Sequence, residues 1–350
     1  MSSKAEKIKN FDPSSYSTNS NLFGLPFTEE ESDIIVVPVP WEVTVSYSNG
    51  TAKGPKAIKE ASLQVDLYDD FVENAWQSGI FMIEEPKTWK KKSKKYRKLA
   101  EKYIEALMEG DIDENAEEVK ALLQEINDAC EKLHGEVEII CQSYLEQGKL
   151  VVLVGGDHST PLGLIRALSK KHESFGVLQI DAHADLRKAF EDFEYSHASI
   201  SYNFMKLQNI SKLVQVGIRD ICEEEVNFAK ENKERISIYY DQNIKEALYS
   251  GKNLKEIYQQ IIDELPEKVY VTMDIDGLDP KYCPNTGTPV PGGLEYGELI
   301  YLLKMLADSG KTIIGLDINE VSPGEDEWDA NVGARLLYKA ANIAAKTQKR

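Results

Sequence analysis

Leu150-Val151-Val152-Leu153-Val154-Gly155-Gly156-Asp157-His158-Ser159 sets five consecutive apolar residues against a polar cluster opened by two glycines. A run that is apolar at every position, not at alternate ones, fits a parallel strand covered on both faces. The same order returns at residues 176–180, followed by Asp181-Ala182-His183-Ala184-Asp185. It returns again at residues 269–273, followed by Asp274-Ile275-Asp276-Gly277-Leu278-Asp279-Pro280. Similar short runs stand at residues 33–38, 79–83, 213–217, 236–240 and 312–316. Helical patterns lie between them, at 161–171, 253–264 and 295–307. This alternation predicts an α/β fold: a three-layer α/β/α domain with an eight-stranded, mainly parallel sheet.

The chain has 350 residues, which suits one large domain. With 41 basic and 59 acidic side chains the net charge is −18, so the surface repels phosphate backbones and anionic lipid. No nucleic-acid or membrane partner is expected. No apolar run approaches the ~18–20 residues of a spanning helix, and residues 1–20 lack the apolar core of a signal peptide. Cys130, Cys141, Cys222 and Cys283 are scattered and form no C-x-x-C pair, so reduced thiols and a cytoplasmic location are expected. Residues 1–22, rich in Ser and Asn, read as an N-terminal arm, and residues 23–350 as the single domain. Within that domain a basic stretch (87–98), an acidic turn (109–118) and a long helical pattern to about 147 read as an inserted helical hairpin, about 87–147.

Only five histidines are present, and His158, His183 and His197 fall close together. His134 and His172 lie on polar helix-like stretches and read as surface residues. The three polar clusters all end expected strands, and open α/β sheets bind ligands beyond the carboxyl ends of their strands. Asp181, His183 and Asp185 sit two apart, as do Asp274 and Asp276, so an extended exit aims each set to one side. With His158 this gathers four carboxylates and two imidazoles. Burying four unpaired carboxylates would cost many kcal/mol, and two divalent cations would balance them. The mixed donor set favours manganese, iron, nickel or zinc over magnesium or calcium. Two such ions sharing a water suit hydrolysis of a poor electrophile, a phosphoester or a guanidinium. The acidic motif ends, Asp279, Glu320, Glu325, Asp326 and Glu327, favour the cationic group.

These clusters, in this order, resemble the ureohydrolase (arginase/agmatinase) family, over about residues 33–345 and interrupted by the helical insertion. The resemblance implies the arginase/deacetylase-like sheet, a homotrimer or homohexamer, and two metal ions, manganese first and nickel second. One ion would take His158, Asp181, Asp185 and Asp274, the other His183, Asp181, Asp274 and Asp276. It implies attack of hydroxide on a guanidinium carbon to give urea and an amine. Asp185 matches the family's proton carrier, His197 its shuttle histidine, and Glu320 the carboxylate that grips the guanidinium.

The loop at 186–197 resembles agmatinase-type members, which makes a small cationic guanidino substrate of the agmatine type the expectation. Glu191, Asp192 or Glu194 could meet a distal ammonium. Arg187 could instead bind a carboxylate, and Phe190, Phe193, Tyr195 or Trp328 could shorten the pocket, as free guanidine or guanidino acids such as guanidinobutyrate would need. Residues 40–47 are expected at the pocket mouth, and residues 287–293 read as an ordered loop that could form a pocket wall. Arginine as substrate, a dinuclear phosphoesterase, a single-zinc deacetylase and a non-catalytic relative stand as the alternatives.

Overall fold

Each of the eight apolar runs forms a strand, and every pairing between them is parallel. The computed structural model describes residues 3–15, 20–110, 113 and 116–348. In chain order the elements are α1 (Lys4–Asn10), β1 (Ile34–Val39), α2 (Gly54–Ala61), β2 (Ile80–Met82), α3 (Lys87–Glu109), α4 (Glu117–Glu146), β3 (Leu150–Gly155) and α5 (Leu162–Lys171). Then follow β4 (Phe175–Ile180), α6 (Ile200–Met205), β5 (Ile210–Ile218), α7 (Glu223–Glu231), β6 (Ile236–Tyr240), α8 (Asp241–Tyr249) and α9 (Leu254–Asp263). The chain ends through β7 (Lys268–Asp274), α10 (Tyr296–Asp308), β8 (Thr312–Asn319) and α11 (Trp328–Gln348).

The sheet order is β2-β1-β3-β8-β7-β4-β5-β6. Successive side chains of a strand alternate between faces, and the two cores follow that alternation. Ile34, Val36, Val152, Val154, Val271 and Met273 pack with α2 and α8–α11. Ile35, Val37, Val151, Leu153, Val177 and Tyr270 pack with α3–α7. Burial on both faces is why these strands lack the polar alternation of a half-exposed sheet. Pro38 stands in β1 beyond the stretch paired to β2, which covers only Ile34–Val36.

Two of the expected segments gain detail. The 87–147 segment forms α3 and α4, and α4 belongs to the helical layer, burying Ile126, Cys130, Leu133, Val137, Cys141 and Leu145. The acidic turn between them falls partly at 111–112 and 114–115, outside the described residues. Within 1–22, α1 opens on a Ser3–Glu6 capping box. Its Lys7 meets Glu31 at 2.6 Å, while Ile8 and Phe11 pack against the core. Residues 1–2 and 16–19 of that arm lie outside the described residues. All four cysteines are free thiols. Among the described residues no helix is long and apolar enough to cross a membrane.

Candidate metal centre

β3, β8, β7 and β4 are neighbours at the middle of the sheet, and their carboxyl ends carry His158, Glu320, Asp274 with Asp276, and Asp181 with Asp185. Adjacent strands ending at one level bring these groups together without a long loop. Close backbone approach completes the site. A Cβ on Gly277 would lie 2.7 Å from the Asp181 nitrogen, and one on Gly156 would lie 1.8 Å from the Trp41 carbonyl oxygen. Only glycine lets those loops pack so tightly. Asp185 and Glu320 adopt φ of 54° and 61°, left-handed values that are uncommon for residues bearing a Cβ.

His158 Nδ1 lies 3.0 Å from Asp181 Oδ2, 3.1 Å from Asp185 Oδ2 and 3.4 Å from Asp274 Oδ2. Beside this group, His183 Nδ1 lies 3.1 Å from Asp276 Oδ2 and 3.7 Å from Asp181 Oδ1. Asp181 thus belongs to both sets of donors: His158, Asp181 and Asp185, and Asp181, His183 and Asp276. Backbone amides and a side-chain amide aim the carboxylates. His183 N donates to Asp181 Oδ1 at 2.7 Å, Gln179 Nε2 to Asp181 Oδ2 at 2.8 Å, Asp276 N to Asp274 Oδ1 at 2.9 Å, and Ala182 N to Asp276 Oδ1 at 3.1 Å.

The hydrogen bonding beneath His158 fixes its tautomer. Thr272 Oγ1 donates to Asp317 Oδ1 at 2.9 Å, so its remaining capacity toward His158 Nε2, also 2.9 Å away, is as acceptor. His158 therefore carries its proton on Nε2. Nδ1 faces three carboxylate oxygens, which outweigh burial and raise the imidazole well above its ordinary value, and it has no well-aligned hydrogen bond among the described residues. Three carboxylates and an imidazole nitrogen converging on one point need positive charge between them, and mixed nitrogen and oxygen donors suit a divalent transition metal. The residues present fit a metal.

The titration behaviour has the same cause. Burial, with the charges of Asp276 and Asp181, pushes Asp274 well above the carboxylate range. Burial and Asp181 raise Asp185 to about 7. Burial opposes charge on His183, yet Asp276 and Asp181 outweigh it and raise the imidazole to about 12. Negative charge is in excess here, and bound cations would relieve it.

A cleft of about 170 Å³ opens above the cluster, lined by His183, Asp185 and Asp274 at its floor and by Ser46, Phe190, His197 and Thr288 on its walls. Arg187, Asp220 and Glu225 stand at its rim. The Arg187 guanidinium stacks 4.8 Å from the Phe190 ring centre, and its Nε lies 3.8 Å from buried Glu225. His197 Nδ1 lies 3.4 Å from Ser196 Oγ. Desolvation and the neighbouring His183 lower the His197 imidazole to about 4, so it is neutral at physiological pH. Glu320 is buried and accepts from His158 N through Oε1 at 2.9 Å, while Oε2 has no hydrogen-bond partner among the described residues.

The structure gathers His158, Asp181, His183, Asp185, Asp274, Asp276, His197 and Glu320. Glu194 and Trp328 do not line the cleft. Glu194 is exposed, on a loop whose backbone is tied to Asn127 and Asn203, and exposed Trp328 donates to the Lys281 carbonyl at 2.8 Å. His134, expected at the surface, is fully buried. It faces inward on α4 with Cys130, Leu133 and Val137 and meets Tyr195 edge-on at 5.1 Å. Asp220, Glu225, Thr272 and Asp317 were not anticipated. The one sequence signal is Asp317, a carboxylate within an otherwise apolar stretch.

The sequence profile of the arginase family matches residues 32–342. An N(1)-aminopropylagmatine ureohydrolase of Synechocystis sp. is 29% identical over 324 residues, covering 91% of this chain and 92% of that protein. An agmatinase of Bacillus subtilis is 30% identical over 314 residues, covering 88% and 90%. The structure of the agmatine ureohydrolase of Thermoplasma volcanium superposes with a TM-score of 0.71 at 22% identity, over 99% of both chains. With residues 32–342 matched and relatives that include ureohydrolases and agmatinases over most of its length, the chain belongs to the arginase family and is an amidinohydrolase.

Proposed function

We propose that the protein hydrolyses the guanidinium group of agmatine or N1-aminopropylagmatine, releasing urea and the corresponding amine, with two divalent ions, manganese foremost and nickel next. What carries this reading is the convergence of His158 Nδ1 with the carboxylates of Asp181, Asp185 and Asp274, beside the second set formed by Asp181, His183 and Asp276. The first ion would rest on His158, Asp181, Asp185 and Asp274, and the second on His183, Asp181, Asp274 and Asp276. Bound there, the pair would lower the pKa of a bound water to ~7 and so supply a nucleophile at neutral pH.

The chain's own groups supply the rest. Glu320 Oε2 is a buried acceptor without a hydrogen-bond partner among the described residues, and it would take an N–H of the planar guanidinium and hold its carbon over the floor of the cleft. Asp185, between the floor and the cleft, would move a proton to the leaving nitrogen. His197, neutral and half-exposed on the wall, would exchange that proton with solvent. The exposed rim carboxylate of Asp220 gives the entrance a negative side suited to an amine-bearing tail. Arg187 is already engaged by Phe190 and Glu225, which leaves no free cationic reader for a substrate carboxylate among the described residues of the rim.

Urea release from agmatine, N1-aminopropylagmatine, arginine, guanidinobutyrate and guanidine, with manganese or nickel supplied, tests the proposal. Turnover is expected on the first two. Urea from arginine or guanidine alone would overturn the substrate assignment, and no urea from any of the five, with metal bound, would overturn the reaction.

A further inference from the structure

α3 carries the basic run that the reaction leaves unexplained. Its lysines Lys90, Lys91, Lys94 and Lys98 take the exposed side. Its opposite side holds the loop that leads from β1. Ser93, Arg97 and Glu101 stand four residues apart and therefore on one face of the helix. Ser93 Oγ accepts from Glu42 N at 3.2 Å. Arg97, buried, donates through Nη1 to the Val45 carbonyl and, at 3.4 Å, to the Val43 carbonyl. Glu101 Oε1 accepts from Asn49 Nδ2 at 2.9 Å and from Arg97 Nε at 3.1 Å. The segment 42–49 is thus fastened along α3 at three levels.

Fastened there, the segment forms part of the cleft wall. Ser46 lines the cleft with His197, and Thr44 Oγ1 donates to the Tyr195 carbonyl at 3.4 Å, two residues before His197. Thr44 lies between the two residues whose carbonyls Arg97 holds. One turn and a half further along α3, Tyr103 OH donates to Asp192 Oδ2 at 2.6 Å, and its ring meets Phe193 edge-on at 5.5 Å. Those contacts secure a two-residue turn in which Phe190 and Phe193 exchange backbone hydrogen bonds. Glu191 and Asp192 there adopt φ of 50° and 62°, a conformation that needs outside support in residues other than glycine. Phe190, at the base of that turn, lines the cleft beside His197.

We infer that Arg97 is a positioning residue for His197: by holding the Val43 and Val45 carbonyls it fixes Thr44, whose hydroxyl holds the Tyr195 carbonyl two residues before His197, and Tyr103 secures the facing turn. The inference rests on the reading of His197 as the proton carrier.

Hydrogen–deuterium exchange and a double-mutant cycle test it on the metal-loaded protein. Arg97→Met should raise exchange in peptides spanning 42–49 and 187–197 by about 10-fold or more, while peptides of β3, β4, β7 and β8 stay at the wild-type rate. Unchanged exchange in those two segments overturns the brace. Metal content should remain that of the wild type. In turnover, Arg97→Met should lower kcat by about 10–10²-fold with a smaller change in KM, and it should add nothing in a His197→Ala background. Effects that multiply instead overturn the assignment to His197 and leave Arg97 a merely structural residue. Arg97→Lys, which keeps a donor, should recover part of the loss. Should Arg97→Met fail to fold, Arg97→Lys and Tyr103→Phe support the same exchange comparison. A wild-type protein that released no urea would defeat the proposed function, while the exchange result would still decide whether the brace exists.

Discussion

Thr272 Oγ1 sits 2.9 Å from His158 Nε2, and because the same hydroxyl donates to Asp317 it serves the ring as an acceptor. Thr272→Val keeps the shape of the side chain and removes that acceptor. The free His158 ring would then lose its tautomeric bias, so metal affinity should weaken by about 10–100-fold. Titration of the metal-free variant by calorimetry measures this. Affinity within twofold of the wild type would show that the hydroxyl does not set the tautomer.

Asp181 is shared by both donor sets, whereas Asp276 belongs to one. Asp181→Ala should therefore remove both ions and all urea release, and Asp276→Ala only one ion. Elemental analysis after equilibration with excess manganese distinguishes these outcomes. Chelation of the wild type should also lower its thermal midpoint, since ions at ~1,000 times their Kd contribute about 4 kcal/mol to the folded state.

His197 lines the cleft without belonging to either donor set. His197→Ala should keep both ions and lower kcat by about 10²–10⁴-fold. Loss of both ions in that variant would place His197 among the ligands instead.

His134 gives a pH dependence that is independent of catalysis. Burial lowers its pKa from the ordinary 6.5 to about 3, and among the described residues neither ring nitrogen has a well-aligned hydrogen bond. Between those values the unfolded chain binds a proton that the folded chain refuses. Stability from this group is thus fully present above pH 6.5 and declines as pH falls toward 3. One proton corresponds to about 1.4 kcal/mol per pH unit, or about 2 kcal/mol between pH 6.5 and 5. His134→Phe, which keeps the ring against Tyr195, should abolish that part of the acid sensitivity. Urea unfolding of both proteins at pH 6.5 and 5, with metal removed, gives the difference.

The strands and most of the site were legible because their signals are local. An unbroken apolar run followed by Asp-x-His-x-Asp declares both a buried strand and a polar exit, and all eight runs became strands. β8 extends to Asn319 and not merely to residue 316, because Asp317 is tolerated inside the sheet. Its partners Tyr270 and Thr272 come from β7, and such neighbours are unreadable before strand order is known. His134 misled for a similar reason: its flanking residues are polar, but the buried stripe through Cys130, Leu133, Val137 and Cys141 carries it inward. Glu194 and Trp328 were proposed from chemistry alone, and no local pattern says which way a loop side chain faces.

The sheet order has one last consequence. Chains that open by fraying lose their margins first, and here the margins are β2, a mere three residues long, and β6. The donor groups of the candidate metal centre hang from the four strands furthest from either border. Damage at the periphery should therefore reduce how many molecules survive before it alters what each survivor can do.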